Sequence, residues 1–216
     1  MKTSLAAEKP KAEDALPLPR RPSGPHEKLP VEMPAFTELF ETPGPLEVEI
    51  GCGKAKFMLD RAIQNPGVNF VGIDYAGKWM KIGQKRGEKR NLPNVRFFRV
   101  HAQPFLEKYL PDASVSIFHI YFPDPWPKRR HGKRRLVTAP LLRQLHRKLV
   151  PQGRVELASD HKDYYELMRG AARETSSLWK KMTESNTRFF CPEFQTNYEA
   201  KYAAEGRPLH YLELCK

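Results

Sequence analysis

Cysteine is scarce in this chain of 216 residues: Cys52, Cys191 and Cys215 are far apart, odd in number and free of any C-x-x-C spacing. That excludes a disulfide framework and a cysteine-bound zinc, and leaves reduced thiols. The histidines form no H-x-x-x-H pair and no Cys/His cluster, so no metal is expected. Long hydrophobic runs are also missing. None approaches the roughly 18 to 20 apolar residues of a membrane span, and the first residues lack a basic segment followed by an apolar one. A soluble, cytoplasmic protein without membrane association is the expectation. A third absence concerns glycine. A dinucleotide turn wants G-x-G-x-x-G, and Gly51-Cys52-Gly53-Lys54-Ala55-Lys56 has lysine where the third glycine belongs, which disfavours NAD.

What the chain does have is positive charge, with 37 Lys/Arg against 25 Asp/Glu and a net charge of +12. Residues 1–45 hold 6 basic and 7 acidic side chains, leaving 31 against 18, a net +13, over residues 46–216. Such an excess suggests a polyanionic partner, most simply nucleic acid. A generally basic soluble surface is the plain alternative.

Residues 1–34 carry seven prolines and few large apolar side chains, the composition of a disordered or extended leader. One domain over residues 35–216 is expected to follow, opening with a short helical turn over 35–41 that Thr42-Pro43-Gly44-Pro45 stops. Leu46-Glu47-Val48-Glu49-Ile50 reads as a short apolar strand, ended by the glycine turn. A helix follows, with Ala55, Met58, Leu59, Ala62 and Ile63 at helical spacing. Further strands are expected over 69–73, 95–100 and 115–121, the last apolar enough to be central in a parallel sheet. A basic helix over 78–90 carries Lys78, Lys81, Lys85 and Lys89 on one solvated face. Thr138 reads as the N-cap of a helix with Leu141, Leu142, Leu145 and Leu149, which Pro151-Gln152-Gly153 ends before a strand over 154–158. A helix over 163–174 and strands over 178–183 and 208–214 complete the series. Alternating strands and helices with two terminal strands give an α/β fold, a doubly wound, seven-stranded and mostly parallel sheet of Rossmann-like type.

Three stretches carry chemistry. Glu49 before the glycine turn and Asp74 at the end of the next strand suit a cofactor with a cationic or amine-bearing end and a ribose. S-adenosylmethionine fits that description, while a turn that merely lets helix and strand approach is the structural alternative. Pro123-Asp124-Pro125 fixes the conformation of Asp124, since each ring locks its own φ and restricts the residue before it. The same tripeptide can instead be a simple turn with Trp126 packed as a lid. Six Lys/Arg then fall within residues 128–135, a density that repels itself unless a polyanion neutralises it. The cationic run and the glycine turn both follow strand ends, so they share the ligand-binding rim of such a sheet. Thr196 with Glu199 has the spacing of a capping box.

Taken together these residues resemble the bacterial tRNA (guanine-N7)-methyltransferases. Glu49-Ile50-Gly51-x-Gly53, Gly72-Ile73-Asp74, Pro123-Asp124-Pro125-Trp126-Pro127-Lys128, Arg130-His131-x-Lys133-Arg134-Arg135, Ser159-Asp160 and Thr196-x-Tyr198-Glu199-x-Lys201 occur in the family's order over residues 46–216. The resemblance implies methyl transfer from S-adenosylmethionine to N7 of guanosine 46 in the variable loop of tRNA. It implies that Glu49, Gly51, Gly53, Asp74, His101, Ala102 and Asp124 bind the cofactor and that Asp124 is catalytic. Lys128, Asp160, Thr196, Asn197, Tyr198 and Glu199 would contact the substrate, Trp126 would stack on the base, and Arg130, His131, Gly132, Lys133, Arg134 and Arg135 would hold RNA. It further implies tRNA as partner, a monomer or homodimer, and no obligate protein partner. Two positions depart from the pattern: His101 stands where the family generally has Asp or Asn, and Ala55 replaces a frequent glycine, a mild change for a helix start. A non-catalytic RNA-binding subunit on the same fold, or a methyltransferase with a protein or small-molecule substrate, remain the alternatives.

Overall fold

A computed structural model describes residues 39–216. The leader expected over 1–34, and all but the end of the helical turn expected over 35–41, lie outside them; residues 39–41 are not helical. Seven strands form one sheet: β1 (Leu46–Ile50), β2 (Asn69–Ile73), β3 (Val95–Phe98), β4 (Val115–Tyr121), β5 (Leu149–Ser159), β6 (Lys181–Ser185) and β7 (His210–Cys215), in the order β3-β2-β1-β4-β5-β7-β6. The first five pair in parallel, and β7 runs antiparallel to β5 and β6. Strand order reverses between β1 and β4, the place where open sheets of this kind bind ligands. The helices are α1 (Lys56–Gln64), α2 (Gly77–Lys89), α3 (Ala102–Lys108), α4 (Ala139–Lys148), α5 (Lys162–Glu174) and α6 (Asn197–Ala204). None of the described helices is long and apolar enough to cross a membrane.

The two faces of the sheet differ in chemistry. Val48 and Ile50, Val71 and Ile73, Phe118 and Ile120, Val155 and Leu157, and Leu212 and Leu214 lie in one apolar core with Leu141, Leu142 and Leu145 of α4 and Tyr164 and Met168 of α5. Because side chains alternate along a strand, the residues between them point the other way. There Glu47, Glu49, His119, Tyr121 and Glu156 are all buried. β1 is therefore buried on both faces yet is not an apolar strand.

Several boundaries differ from the sequence expectation, each for a tertiary reason. Ile63 is 49% exposed, and Phe57 takes the buried place on α1. Ala55 is not helical but left-handed, with φ 53°, at the N-cap of α1; alanine there is strained rather than mild. Leu149 leaves the helix and starts β5 opposite Val115, so Pro151-Gln152-Gly153 forms a bulge inside that strand. A Cβ on Gly153 would meet Leu149 and the carbonyls of Ser116 and Val150 at 3.0 Å. Leu178 ends a 3-10 turn, and β6 starts three residues later because its register is set by β7. Thr138 caps α4 as expected, accepting from the Leu141 N–H at 3.4 Å.

Candidate active site

Gly51 (φ 81°) and Gly53 (φ 53°) turn the chain from β1 into α1 in a backbone region that glycine adopts without strain. A Cβ at either position would meet nothing within 4 Å, so backbone shape demands the glycines and open space lies beside them. The Gly51 and Cys52 N–H groups donate to the Ile73 carbonyl at 2.8 and 3.1 Å. Asp74, leaving β2, clamps the same turn: its carboxylate accepts from the Gly53 N–H at 2.8 Å and the Ala76 N–H at 2.6 Å. Burial raises the Asp74 carboxyl above its usual range, and the charge of Asp124 adds to that shift.

A cavity of about 300 Å³ opens against this turn. Of the residues singled out in the sequence, Glu49, Gly51, Gly53, Thr196, Asn197 and Tyr198 line it, with Lys54, Lys56, Phe57, Trp79, Tyr121 and Lys201 beside them. Glu49 is its buried acid. One side-chain oxygen, Oε2, has no hydrogen-bond partner, and burial pushes the carboxyl up to about 8 against the pull of His119 and of a Met58 backbone hydrogen bond at the start of α1. An unpartnered buried carboxyl oxygen is costly unless a ligand completes it.

Asp124 is exposed just past the end of β4, near Asp74, but is not among the residues that line the cavity. Phe122 (φ 51°) and Trp126 (φ 44°) bend the backbone around it, and Arg135 pins the loop by donating to the carbonyls of Pro125 at 2.9 Å and Trp126 at 3.2 Å. The cationic run is a 3-10 helix, Arg129–Arg134, entered through exposed Lys128. It is not one uniform arm. Arg135 faces inward, the Arg134 guanidinium lies 4.9 Å from the Trp126 ring centre, and His131 meets that ring edge-on at 5.7 Å. Arg130 and Lys133 are exposed and Gly132 is partly so. Arg134 thus covers a face of Trp126, the ring expected to stack on a base.

Of the other expected positions, His101, Ala102, Lys128, Asp160 and Glu199 are not among the residues that line the cavity. His101 is exposed and stacks on Tyr75, ring centres 4.1 Å apart, with Ala102 opening α3 behind it. Asp160 at the β5 exit accepts from Arg207 at 3.1 Å. Thr196 and Glu199 do form the capping box of α6, but Glu199 is buried and fully engaged. It accepts from Arg188 twice, at 2.7 and 2.8 Å, from the Tyr211 hydroxyl at 2.7 Å and from the Thr196 N–H at 3.3 Å. Its carboxylate is committed to the fold rather than to the cavity.

The "Putative methyltransferase" family matches this chain over residues 43–212. A tRNA (guanine-N(7)-)-methyltransferase of Geobacter metallireducens is 33% identical over 84% of this chain and 86% of its own length. The chain belongs to the tRNA (guanine-N7)-methyltransferase family. A relative of the same name from Rubrobacter xylanophilus is 31% identical over 83% of this chain and 80% of its own. Among solved structures, an antibiotic-related methyltransferase aligns with a TM-score of 0.59 at 17% identity, covering 88% of this chain and 96% of that one. The 16S rRNA methyltransferase KamB aligns with a TM-score of 0.59 at 18% identity over 83% and 91%. Those likenesses establish the class I methyltransferase fold.

The sequence reading missed what lies behind Glu49 in this member of the family. His119 is buried with Nε2 2.9 Å from Glu47 Oε2 and Nδ1 2.9 Å from Glu156 Oε2. Arg61 of α1 donates twice to Glu47, at 2.6 and 2.7 Å, and Arg154 donates to Glu156 at 2.7 Å. Burial alone would raise both carboxyls; the hydrogen bonds from Arg61 and His119 hold Glu47 down at about 2, and His119 and Arg154 hold Glu156 at about 2. Burial alone would lower His119, yet the two carboxylates push it up to about 9. The sequence signals were the acidic residues Glu47 and Glu49 in a β1 that otherwise read as apolar, a histidine in a β4 that did the same, and Glu156 in the strand that follows.

Proposed function

We propose that this protein transfers the methyl group of S-adenosylmethionine to N7 of guanosine 46 in the variable loop of tRNA, in the cytoplasm. The observation that carries the reading is the cavity at the glycine turn, where one oxygen of the buried acid Glu49 lacks a partner, with Asp124 close enough to Asp74 beside that turn for its charge to be felt there. The residues present suit the cofactor. The free oxygen of Glu49 is an acceptor for its ammonium end, the left-handed glycines leave room for close approach, and Asp74 retains lone pairs for ribose hydroxyls. Bound there, S-adenosylmethionine supplies an electrophilic methyl on a sulfonium.

Guanine N7 has an in-plane lone pair in the neutral base, so no proton need leave before attack. The N–C bond forms as the C–S bond breaks, and the positive charge passes from sulfur to the purine. The protein's task is then to hold the base in line and to favour the developing cation. Asp124 and Asp160 are assigned to accept hydrogen bonds from the guanine N1/N2 edge. Lys128, Arg130 and Lys133 are assigned to phosphates, and exposed Tyr198 with Asn197 to the substrate at the cavity mouth. Arg134 must move if the exposed base is to stack on the face of Trp126 that it covers.

Unmodified tRNA incubated with labelled cofactor, followed by mapping of the methylated base, tests the reading. Label at N7 of a variable-loop guanosine is expected; cofactor binding without transfer would instead favour a non-catalytic RNA-binding subunit. Asp124→Asn and Asp160→Asn, assayed at saturating tRNA, should each lower kcat about 10- to 1000-fold. Undiminished turnover in both removes the carboxylates from the chemistry.

A further inference from the structure

The row behind the cavity bears on how Glu49 can do its work. In the sheet register Glu49 of β1 stands directly beside His119 of β4, and His119 beside Glu156 of β5. Adjacent strands lie about 4.8 Å apart, so these side chains share one buried face. Three oxygens surround the imidazole, the third being the Tyr121 hydroxyl 2.8 Å from Nδ1, and Glu47 and Glu156 are held ionised by Arg61, Arg154 and the ring itself. Both ring nitrogens meet carboxylate oxygens at 2.9 Å, and the Tyr121 hydroxyl spends its proton on Glu156 at 2.5 Å. Neither ring nitrogen then has a donor to accept from, and both must carry protons. Phe57 closes over the ring at 4.9 Å.

We propose that His119 is a positioning residue for Glu49: held as an imidazolium between Glu47 and Glu156, it supplies the fixed positive charge that lets Glu49 meet the cofactor's ammonium end as a carboxylate. The proposal rests on the reading of Glu49 as that contact.

Among the described residues, several groups face Glu49, the buried Cys52 thiol of the glycine turn included. Asp74 at the β2 exit opposes its ionisation; His119 from β4, Arg188 from residues 186–196 and the Met58 backbone of α1 favour it. His119 itself faces Glu47 and Glu49 of β1, Tyr121 of its own strand and Glu156 of β5, with Arg61 and Arg154 closing the row at its ends. Burial outweighs the favourable charges, and Glu49 holds its proton up to about pH 8. Binding of the ammonium end at neutral pH therefore releases that proton from the Glu49 carboxyl to solvent. Without the imidazolium the ionisation costs more, and the cofactor binds less well for a reason that depends entirely on Glu49.

A double-mutant cycle on the purified full-length protein reads this dependence. S-adenosylhomocysteine, which keeps the amino-acid end, is titrated calorimetrically at pH 7 in two buffers of different ionisation enthalpy. The wild type should release about one proton per ligand. His119→Gln, which removes the positive charge while keeping a side-chain N–H donor within reach of Glu47, should weaken binding about tenfold, the effect of one pKa unit on Glu49. In the Glu49→Gln background the same change should alter binding less than twofold, and no proton should be released. An equal His119→Gln penalty in both backgrounds overturns the proposal, since a merely structural role would give that result. Glu49→Gln binding as tightly as wild type would instead overturn the reading of Glu49. Nitrogen-15 spectra of the histidines in the unmodified protein at pH 7.5 need no variant to fold: an imidazolium signature for His119 is expected, and a neutral one sinks the idea.

Discussion

Glu199 and Arg188 illustrate how a residue can belong to a site without touching its ligand. The Arg188 guanidinium sits among the rings of Tyr121, Phe190, Tyr211 and Phe57, 4.8 to 5.6 Å from their centres, and is gripped by Glu199. This knot holds residues 186–196 against the cavity that Thr196, Asn197 and Tyr198 help line. Removing one partner of a buried pair leaves the other charge uncompensated, typically at about 3–5 kcal/mol. Glu199→Ala is accordingly expected to lower unfolding stability by about that amount in urea titrations. A variant as stable as wild type, but with raised KM for tRNA, would return Glu199 to the role of a substrate contact. The sequence could suggest the capping box because its partners are three residues apart, but Arg188 and Tyr211 reach Glu199 only through the tertiary fold.

At the scale of elements, the cationic run divides by direction. Arg135 braces the Pro125 and Trp126 carbonyls, whereas Lys133 projects to solvent. Arg135→Ala should therefore loosen the loop that carries Asp124 and depress kcat, leaving the salt dependence of tRNA binding nearly unchanged. Lys133→Ala should leave kcat alone and reduce the log–log salt slope by about 0.9 if it meets a duplex phosphate. Filter binding at several salt concentrations, paired with saturating kinetics, separates the two. Reversed outcomes would mean the inward and outward assignments are exchanged on RNA binding. Local patterning placed most elements, since strand alternation, a capping Thr138 and glycine turns are legible over a few residues. It misplaced Leu149 and the start of β6 because pairing with β4 and β7 decides those boundaries.

For the whole molecule, the buried ionised row ties stability to pH from both sides. Glu47 and Glu156 are held at about 2 from an ordinary 4.5, so their contribution is complete above about 4.5 and lost as pH falls toward 2. His119 moves the other way, from 6.5 to about 9, and its contribution is complete below 6.5 and lost as pH rises through 9. Glu49, raised from 4.5 to about 8, also favours the folded state less as pH climbs through that window. Urea midpoints should thus peak near pH 5 and decline at pH 3 and at pH 9; a midpoint at pH 9 equal to that at pH 5 contradicts the ionised row. The basic excess, net +13 over residues 46–216, belongs to the same scale, favouring a polyanion without specifying it.

The sequence by itself determined the α/β alternation, the glycine turn, the rigid Pro-Asp-Pro loop and the order of motifs that marks the family. Each of these is written in residues close together in the chain, where φ restriction, helical period and strand alternation act locally. Tertiary structure alone decided that Glu47, 72 residues from His119, and Glu156, 37 residues beyond it, close around one imidazole. Strand order and register bring them together, and burial then makes their charges matter. The same burial turns Glu49 from an acid in an apolar strand into a cavity-lining group with one oxygen left unpartnered.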